Sequence, residues 1–305
     1  MESDMAFALR LGLPIFALVL IILYGLISFL IAAGVTKADR KPQEEHPSDH
    51  GLEYQDVDFG SRRGDVRLSG WYIPGNISKS TIIFVHGVGS TRSGDGALDL
   101  ARRLVGRGYN TLLFDLRGHG SSEGDQVSGG FYEREDVLGA FDFLVARGTP
   151  PEHIGLVGFS MGAGTAILAA AEEPGIRALV ADSPYANVSD LMTREVARKT
   201  VFPKWSVPIF LPAAKLMAKL VYHIDMGVLV PEKAVTRLDF PILVIHGMAD
   251  TRIPVEQGLR LHKAAHPDSI IWLVPEVDHV DSFSTHPEEY ATRVVAYFTQ
   301  RLGVP

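Results

Sequence analysis

The chain has 305 residues, 46% of them hydrophobic, and a formal charge of -7 at pH 7. That length buries a sizeable core in one large domain or two small ones, and the acidic balance, with no cluster of Lys and Arg, argues against a nucleic-acid partner. Because the sequence holds no cysteine, disulfides, thiolate nucleophiles and sulfur-based zinc sites are excluded, and the chemistry must use oxygen and nitrogen groups.

Residues 11–36 carry no charge, and residues 11–34 are almost entirely apolar. A bilayer core of about 30 Å takes about 20 apolar residues in a helix, so residues 1–36 are expected to form an N-terminal transmembrane anchor and to make this a single-pass membrane protein. A cleaved signal peptide is the alternative. Its apolar region is typically about 7–15 residues long after a basic stretch, which residues 1–10 hardly supply, and the retained anchor is favoured. Arg10 on one side against Lys37, Arg40 and Lys41 on the other leans towards a cytoplasmic domain, but so few charges leave the side of the membrane open.

Residues 37–51 are polar, contain Pro42 and Pro47 and mix both charge signs, which reads as a linker lifting the globular part, residues 52–305, off the membrane. Residues 52–59 and 66–73 look like an antiparallel strand pair around a Ser-Arg-Arg-Gly-Asp turn. Short, buried-type strands are expected at 81–85, 110–114, 154–158, 178–181, 241–245 and 270–274. Apolar residues at helical spacing lie between them at 96–107, 133–147 and 161–173. The alternation predicts an α/β fold: a mostly parallel sheet of about eight strands, helices on both faces, and the site at the carboxyl ends of the strands. Residues 187–238 break the rhythm. They hold Pro203, Trp205, Pro208, Phe210 and Pro212 before a helix-like stretch at 213–222, too apolar for disorder, and are expected to form a helical lid.

Gly158-Phe159-Ser160-Met161-Gly162 follows the strand at 154–158 and opens a helix, the context in which Gly-x-Ser-x-Gly is a nucleophile elbow. A side chain two residues before or after Ser160 would crowd the helix crossing the strand, and the helix amino terminus favours developing negative charge. A hydroxyl needs a base, and His279, in a loop after the last predicted strand, is positioned to serve. His46, His50, His153, His262, His266 and His286 lie in polar or helix-edge surroundings and are read as surface or structural residues. Asp250, beyond the strand at 241–245, is the acid that would hold the imidazole tautomer. Asp182, at the end of the strand at 178–181, is its rival, while Asp278 and Asp281 adjoin the histidine and are expected to point away. The oxyanion hole requires two backbone N–H groups: that of Met161, and one from His86-Gly87-Val88-Gly89-Ser90, for which Val88 is the candidate.

With Asp115-Leu116-Arg117-Gly118-His119-Gly120-Ser121-Ser122 and His246-Gly247 added, residues 52–302 resemble the α/β-hydrolase superfamily, and within it the serine aminopeptidase-like and monoacylglycerol-lipase-like hydrolases. The resemblance implies a triad in the order Ser160, Asp250, His279, and a structural turn rather than catalytic roles for Asp115 and His119. Such a triad performs acyl transfer with no metal or cofactor; the motifs are poor guides to substrate, and it is the anchor together with the apolar interval 201–222 that points to a small-molecule or lipid ester, or a thioester. A peptidase using the same triad and a membrane-bound scaffold of hydrolase shape are the rival readings. Lys215 and Lys219, at i and i+4, either face lipid phosphates or stand in water.

Overall fold

The computed structural model describes residues 2–76 and 79–303, and for residues 2–11 the backbone only; the side chain of Arg10, used in the orientation argument, thus lies outside what is described. The helices in chain order are α1 (Glu2–Thr36), α2 (Ala97–Val105), α3 (Glu133–Ala146), α4 (Met161–Ala170), α5 (Val188–Lys199), α6 (Val207–Val221), α7 (Pro231–Ala234), α8 (Val255–Ala264), α9 (Ser282–Thr285) and α10 (Pro287–Leu302). The chain divides into two compact units: residues to Lys37 with Asp190–Met226, and Ala38–Ser189 with the residues from Gly227 onward.

The larger unit is built on β1 (Gln55–Gly60), β2 (Arg67–Ile73), β3 (Thr81–Val85), β4 (Asn110–Phe114), β5 (Ile154–Phe159), β6 (Ala178–Asp182), β7 (Leu243–Gly247) and β8 (Ile270–Val274). They form one sheet in the order β1-β2-β4-β3-β5-β6-β7-β8. Only β2 runs antiparallel to its neighbours; the remaining pairs are parallel. This is the expected α/β-hydrolase fold.

Alternating side chains of the central strands feed two separate cores. Ile83, Val85, Leu156 and Val244 pack with Val137, Leu138 and Leu144 of α3, Ala163 and Ile167 of α4 and Leu261 of α8. Ile82, Phe84, Val157 and Ile245 pack on the opposite face with Leu100 and Leu104 of α2 and Val294 and Phe298 of α10. A two-residue side-chain period requires this division, and each fully buried aliphatic side chain contributes roughly 1.5–3 kcal/mol.

Strand boundaries shift where backbone groups are already engaged. β1 begins at Gln55 rather than at 52, since the Leu52 N–H donates to Pro47 O across a 3-10 turn at Pro47–His50. β7 begins at Leu243 because Pro241 has no N–H and that of Ile242 donates to Ser269 Oγ at 3.0 Å.

Residues 38–51 do not form the free polar linker that their composition suggests. The Arg40 guanidinium donates to the carbonyls of Gly120, Ser122 and Gly124, and Gln43 Nε2 donates to both oxygens of the buried Asp115, at 2.9 and 2.8 Å. Loop carbonyls and a buried carboxylate need donors, and this segment supplies them. The predicted lid interval also divides: α5 and α6 fill most of Asp190–Met226, which is in the smaller unit, while the residues from Gly227, including α7, belong to the larger one.

Candidate active site

Ser160 stands between β5 and α4 with φ 54° and ψ -117°. A non-glycine residue there carries roughly 1–3 kcal/mol of strain, sustained by the close crossing of helix over strand. A Cβ on Gly162 would lie 2.1 Å from Val85 O, and one on Gly158 would lie 2.6 Å from Gly162 O, so both positions require glycine. The Ser160 N–H donates to Asp182 O at 2.9 Å, which fixes the turn on β6.

His279 follows β8 and Asp250 follows β7, and the adjacent loops bring them together. His279 Nδ1 lies 2.7 Å from Asp250 Oδ2, and Nε2 lies 2.7 Å from Ser160 Oγ. A carboxylate only accepts, so Nδ1 carries the proton and Nε2 is free to accept from the serine hydroxyl. Asp250 Oδ1 accepts the N–H groups of Arg252, at 2.9 Å, and Ile253, at 2.7 Å. Burial opposes its ionisation, but hydrogen bonds from His246 and His279 and the Ile253 amide prevail and hold the carboxyl well below the usual range. It is therefore ionised at neutral pH.

Asp182, the rival acid, serves a different purpose. It is wholly buried and accepts from Ser183 Oγ at 2.9 Å and Tyr290 Oη at 3.0 Å. Burial pushes its pKa up to about 6 against those bonds. Ser183 Oγ is also 3.2 Å from the Val280 N–H, so Asp182 steadies the residue after His279 rather than the ring. Asp278 turns its carboxylate to Thr251 and to the His279 backbone N–H, away from the imidazole as expected.

Gly87, in the loop after β3, lies against the nucleophile: a Cβ there would be 3.3 Å from Ser160 Cβ. The Gly87 N–H donates to Asp95 Oδ2, that of Gly89 to His119 Nε2 and that of Ser90 to Gly87 O. The Val88 N–H forms no hydrogen bond among the described residues. Met161 is the first residue of α4, where an N–H has no intrahelical acceptor.

Two histidines support this loop, neither of them evident from sequence alone. His119 Nδ1 donates to Arg117 O at 2.8 Å, leaving Nε2 to accept the Gly89 N–H at 3.2 Å. His86 Nε2 accepts the Leu116 N–H at 3.0 Å, and the two rings meet edge to face with centroids 4.9 Å apart. His246 Nε2 donates to Ile253 O at 2.9 Å, holding the turn that presents amides to Asp250. Their only sequence signal was membership of the His-Gly and Arg-Gly-His-Gly strings.

Sheet order, elbow and neighbouring histidine and carboxylate define an α/β hydrolase. The family model described as "Serine aminopeptidase, S33" matches residues 76–229, half of the chain, and the chain belongs to that family. It is 28% identical to YqkD of Bacillus subtilis over 229 residues, which cover 74% of this chain and 73% of that one. It is 26% identical to YfhR of Escherichia coli K12 over 258 residues, covering 82% of each. Over 203 residues it is 29% identical to lysophosphatidylserine lipase ABHD12 of Macaca fascicularis, covering 62% of this chain but only 46% of the relative. The structure of the Pyrococcus furiosus esterase Pf2001 superposes with a TM-score of 0.71 at 29% identity, over 88% of this chain and 98% of that one.

Proposed function

We propose that the protein is a membrane-anchored serine hydrolase that cleaves carboxylic esters of acyl or lipid substrates through an acyl-enzyme on Ser160. The observation that carries this reading is the unbroken relay from Ser160 Oγ to His279 Nε2 and from His279 Nδ1 to Asp250, 2.7 Å at each step.

In this mechanism Ser160 Oγ attacks the acyl carbon as its proton passes to His279 Nε2, and ionised Asp250 stabilises the imidazolium. The amides of Val88 and Met161 receive the oxyanion, each worth roughly 10² to 10³ in rate. The imidazolium then protonates the leaving alkoxide. A water gives its proton to His279 and attacks the acyl carbon, and the imidazolium returns the proton to Ser160 Oγ as the acid leaves.

The esterase and lipase relatives favour an ester over a peptide bond. Recognition of a free peptide amino terminus favours unpaired carboxylates, whereas in the interval expected to form the lid Glu195 is engaged by Arg198 at 2.6 Å and Asp225 by Lys219 at 2.7 Å. Membrane anchoring draws on α1, whose Gly12–Thr36 stretch is long and apolar enough to cross a bilayer.

Labelling of the full chain in detergent by a fluorophosphonate, beside Ser160→Ala, tests the nucleophile, and hydrolysis of p-nitrophenyl esters of increasing acyl length ranks the substrates. Labelling and turnover that both require Ser160 are expected, with rates rising towards longer chains. A folded protein that is neither labelled nor active would remove the catalytic reading.

A further inference from the structure

Within the smaller unit α6 is fastened to α1 by polar contacts in the middle of an apolar stretch. Tyr24 Oη donates to Ile209 O at 2.9 Å, its ring stands 5.4 Å from that of Phe210, and Ser28 Oγ lies 3.5 Å from Phe210 O. Pro212 lies within α6, where its missing N–H leaves the carbonyl of Pro208, next to these acceptors, without its helical donor. α1 is exposed from Gly12 to Leu23 but buried at Ser28, Ile31 and Ala32, as α6 is at Ala214 and Ala218. Small residues on both helices allow this close approach, and α6 runs alongside the C-terminal half of α1.

These contacts fix a depth. A span of about 20 residues counted from Gly12 ends near Ile31, which puts Tyr24 about 10 Å inside the hydrocarbon boundary. Ile209 and Phe210 are at that level. The preceding chain is not: a Cβ on Gly34 would lie 3.2 Å from Thr200 Cγ2, and Lys199 Nζ reaches Val35 O at 3.5 Å. Residues 200–209 therefore descend along α1, and α6 returns. With 15 residues, or about 22 Å, α6 is too short to span.

Apart from Lys215 and Lys219, the outward side chains of α6 are apolar: Ile209, Leu216, Leu220 and Val221 are exposed, as is Trp205 just before the helix, by 75%. In water such a face is an aggregation site; in lipid it is solvated. Lys204 beside Trp205 limits how far the turn can sink, since its stem must carry the ammonium to the headgroups while the indole favours the interface. Lys219 is neutralised by Asp225 at 2.7 Å.

We propose that α6, held on α1, is a re-entrant element whose exposed face is covered by the acyl chains of the leaflet nearest Lys37. This rests on α1 being a retained span and is independent of the triad. The chain has no cysteine, so single thiols can be placed without background.

Val19→Cys in α1, Ile209→Cys and Leu216→Cys in α6, and Val145→Cys on the larger unit are each labelled with an environment-sensitive fluorophore, in the full chain reconstituted in phosphatidylcholine vesicles. Blue-shifted emission at residues 19, 209 and 216, quenched by spin labels on the acyl chains and not by aqueous iodide, is the expected result, with residue 145 the reverse. Iodide quenching at both 209 and 216 while residue 19 stays in lipid would overturn the proposal and leave the span standing. Protection from both quenchers would do the same, in favour of a second copy on this face. Iodide quenching at residue 19 would remove the span and the re-entrant element with it.

Discussion

Asp250→Asn is the most informative single change, because the geometry sets both its direction and its size. Oδ1 of Asp250 accepts two backbone N–H groups, and Oδ2 accepts the imidazole Nδ1–H. An asparagine has one carbonyl oxygen. If that oxygen keeps the two amides, its NH2 faces His279, Nδ1 must accept, and Nε2 carries the proton that it should be taking from Ser160. If the side chain flips to restore the histidine tautomer, the N–H groups of Arg252 and Ile253 face another N–H. At roughly 1–3 kcal/mol for each unsatisfied donor, the flipped form is disfavoured by about 2–6 kcal/mol, and the productive population falls by roughly 30-fold to 10⁴-fold. Steady-state hydrolysis of a p-nitrophenyl ester should show that loss in kcat with little change in KM, and the variant should fold, since a buried charge has been removed without changing shape. A loss below tenfold, or a larger loss in Asp182→Asn, would refute the assignment of Asp250 as the orienting acid.

Gly162→Ala tests the elbow. Its Cβ would press on Val85 O and on His86 O, at 2.1 and 2.5 Å, backbone atoms that cannot move aside, so a cost of about 3 kcal/mol or more is expected as a lowered Tm; an unchanged Tm would contradict the packing. Asp182→Asn tests burial without a charged partner. The folded pKa of Asp182, about 6, lies above the unfolded 3.8, so its contribution to stability is fully present below pH 3.8 and is lost as pH rises through 6. Two pH units correspond to about 3 kcal/mol. Unfolding of the two proteins in detergent should diverge by that order between pH 4 and pH 7, wild type gaining on the variant as the solution is acidified. Parallel profiles would mean that the carboxyl is not desolvated as its surroundings imply.

Ser160, Asp250 and His279 were legible because each follows a short buried strand, and in a parallel sheet such strand ends converge. β3, β4 and β8 run over the expected residues for the same reason, being compact apolar runs with polar flanks. Asp250 was preferred to Asp182 on triad order and strand-end position, and the structure supplies the physical difference: Asp250 touches the ring, while Asp182 lies beneath the next residue. Residues 255–264 and 287–302 drew no assignment, although Pro287, Glu288 and Glu289 open α10 in the manner of a helix start. The contact of Gly89 with His119 could not be found locally. It joins positions thirty residues apart, and exists because β3 and β4 are neighbours whose following loops emerge side by side.

The same topology explains why residues 38–51 were misread. Polar, proline-containing composition describes a solvated linker and a docked strap equally well, and only the partner decides. Here Gln43 closes on Asp115 and Arg40 on the carbonyls of the loop from Gly120 to Gly124. Asp115 also receives the N–H groups of Arg92 and Ser121, and a Cβ on Gly120 would lie 2.2 Å from it, so the carboxylate is the hub around which the turn closes. That turn carries His119, and His119 holds Gly89 beside Val88. The first residues after the apolar helix thus bear, through four hydrogen-bonded groups, on the loop that faces Ser160. Displacing the strap would leave the hydrogen bonds of His279 with Ser160 and Asp250 intact and disturb the loop that bears Val88, because Asp250 and His279 hang from β7 and β8 at the other end of the sheet order.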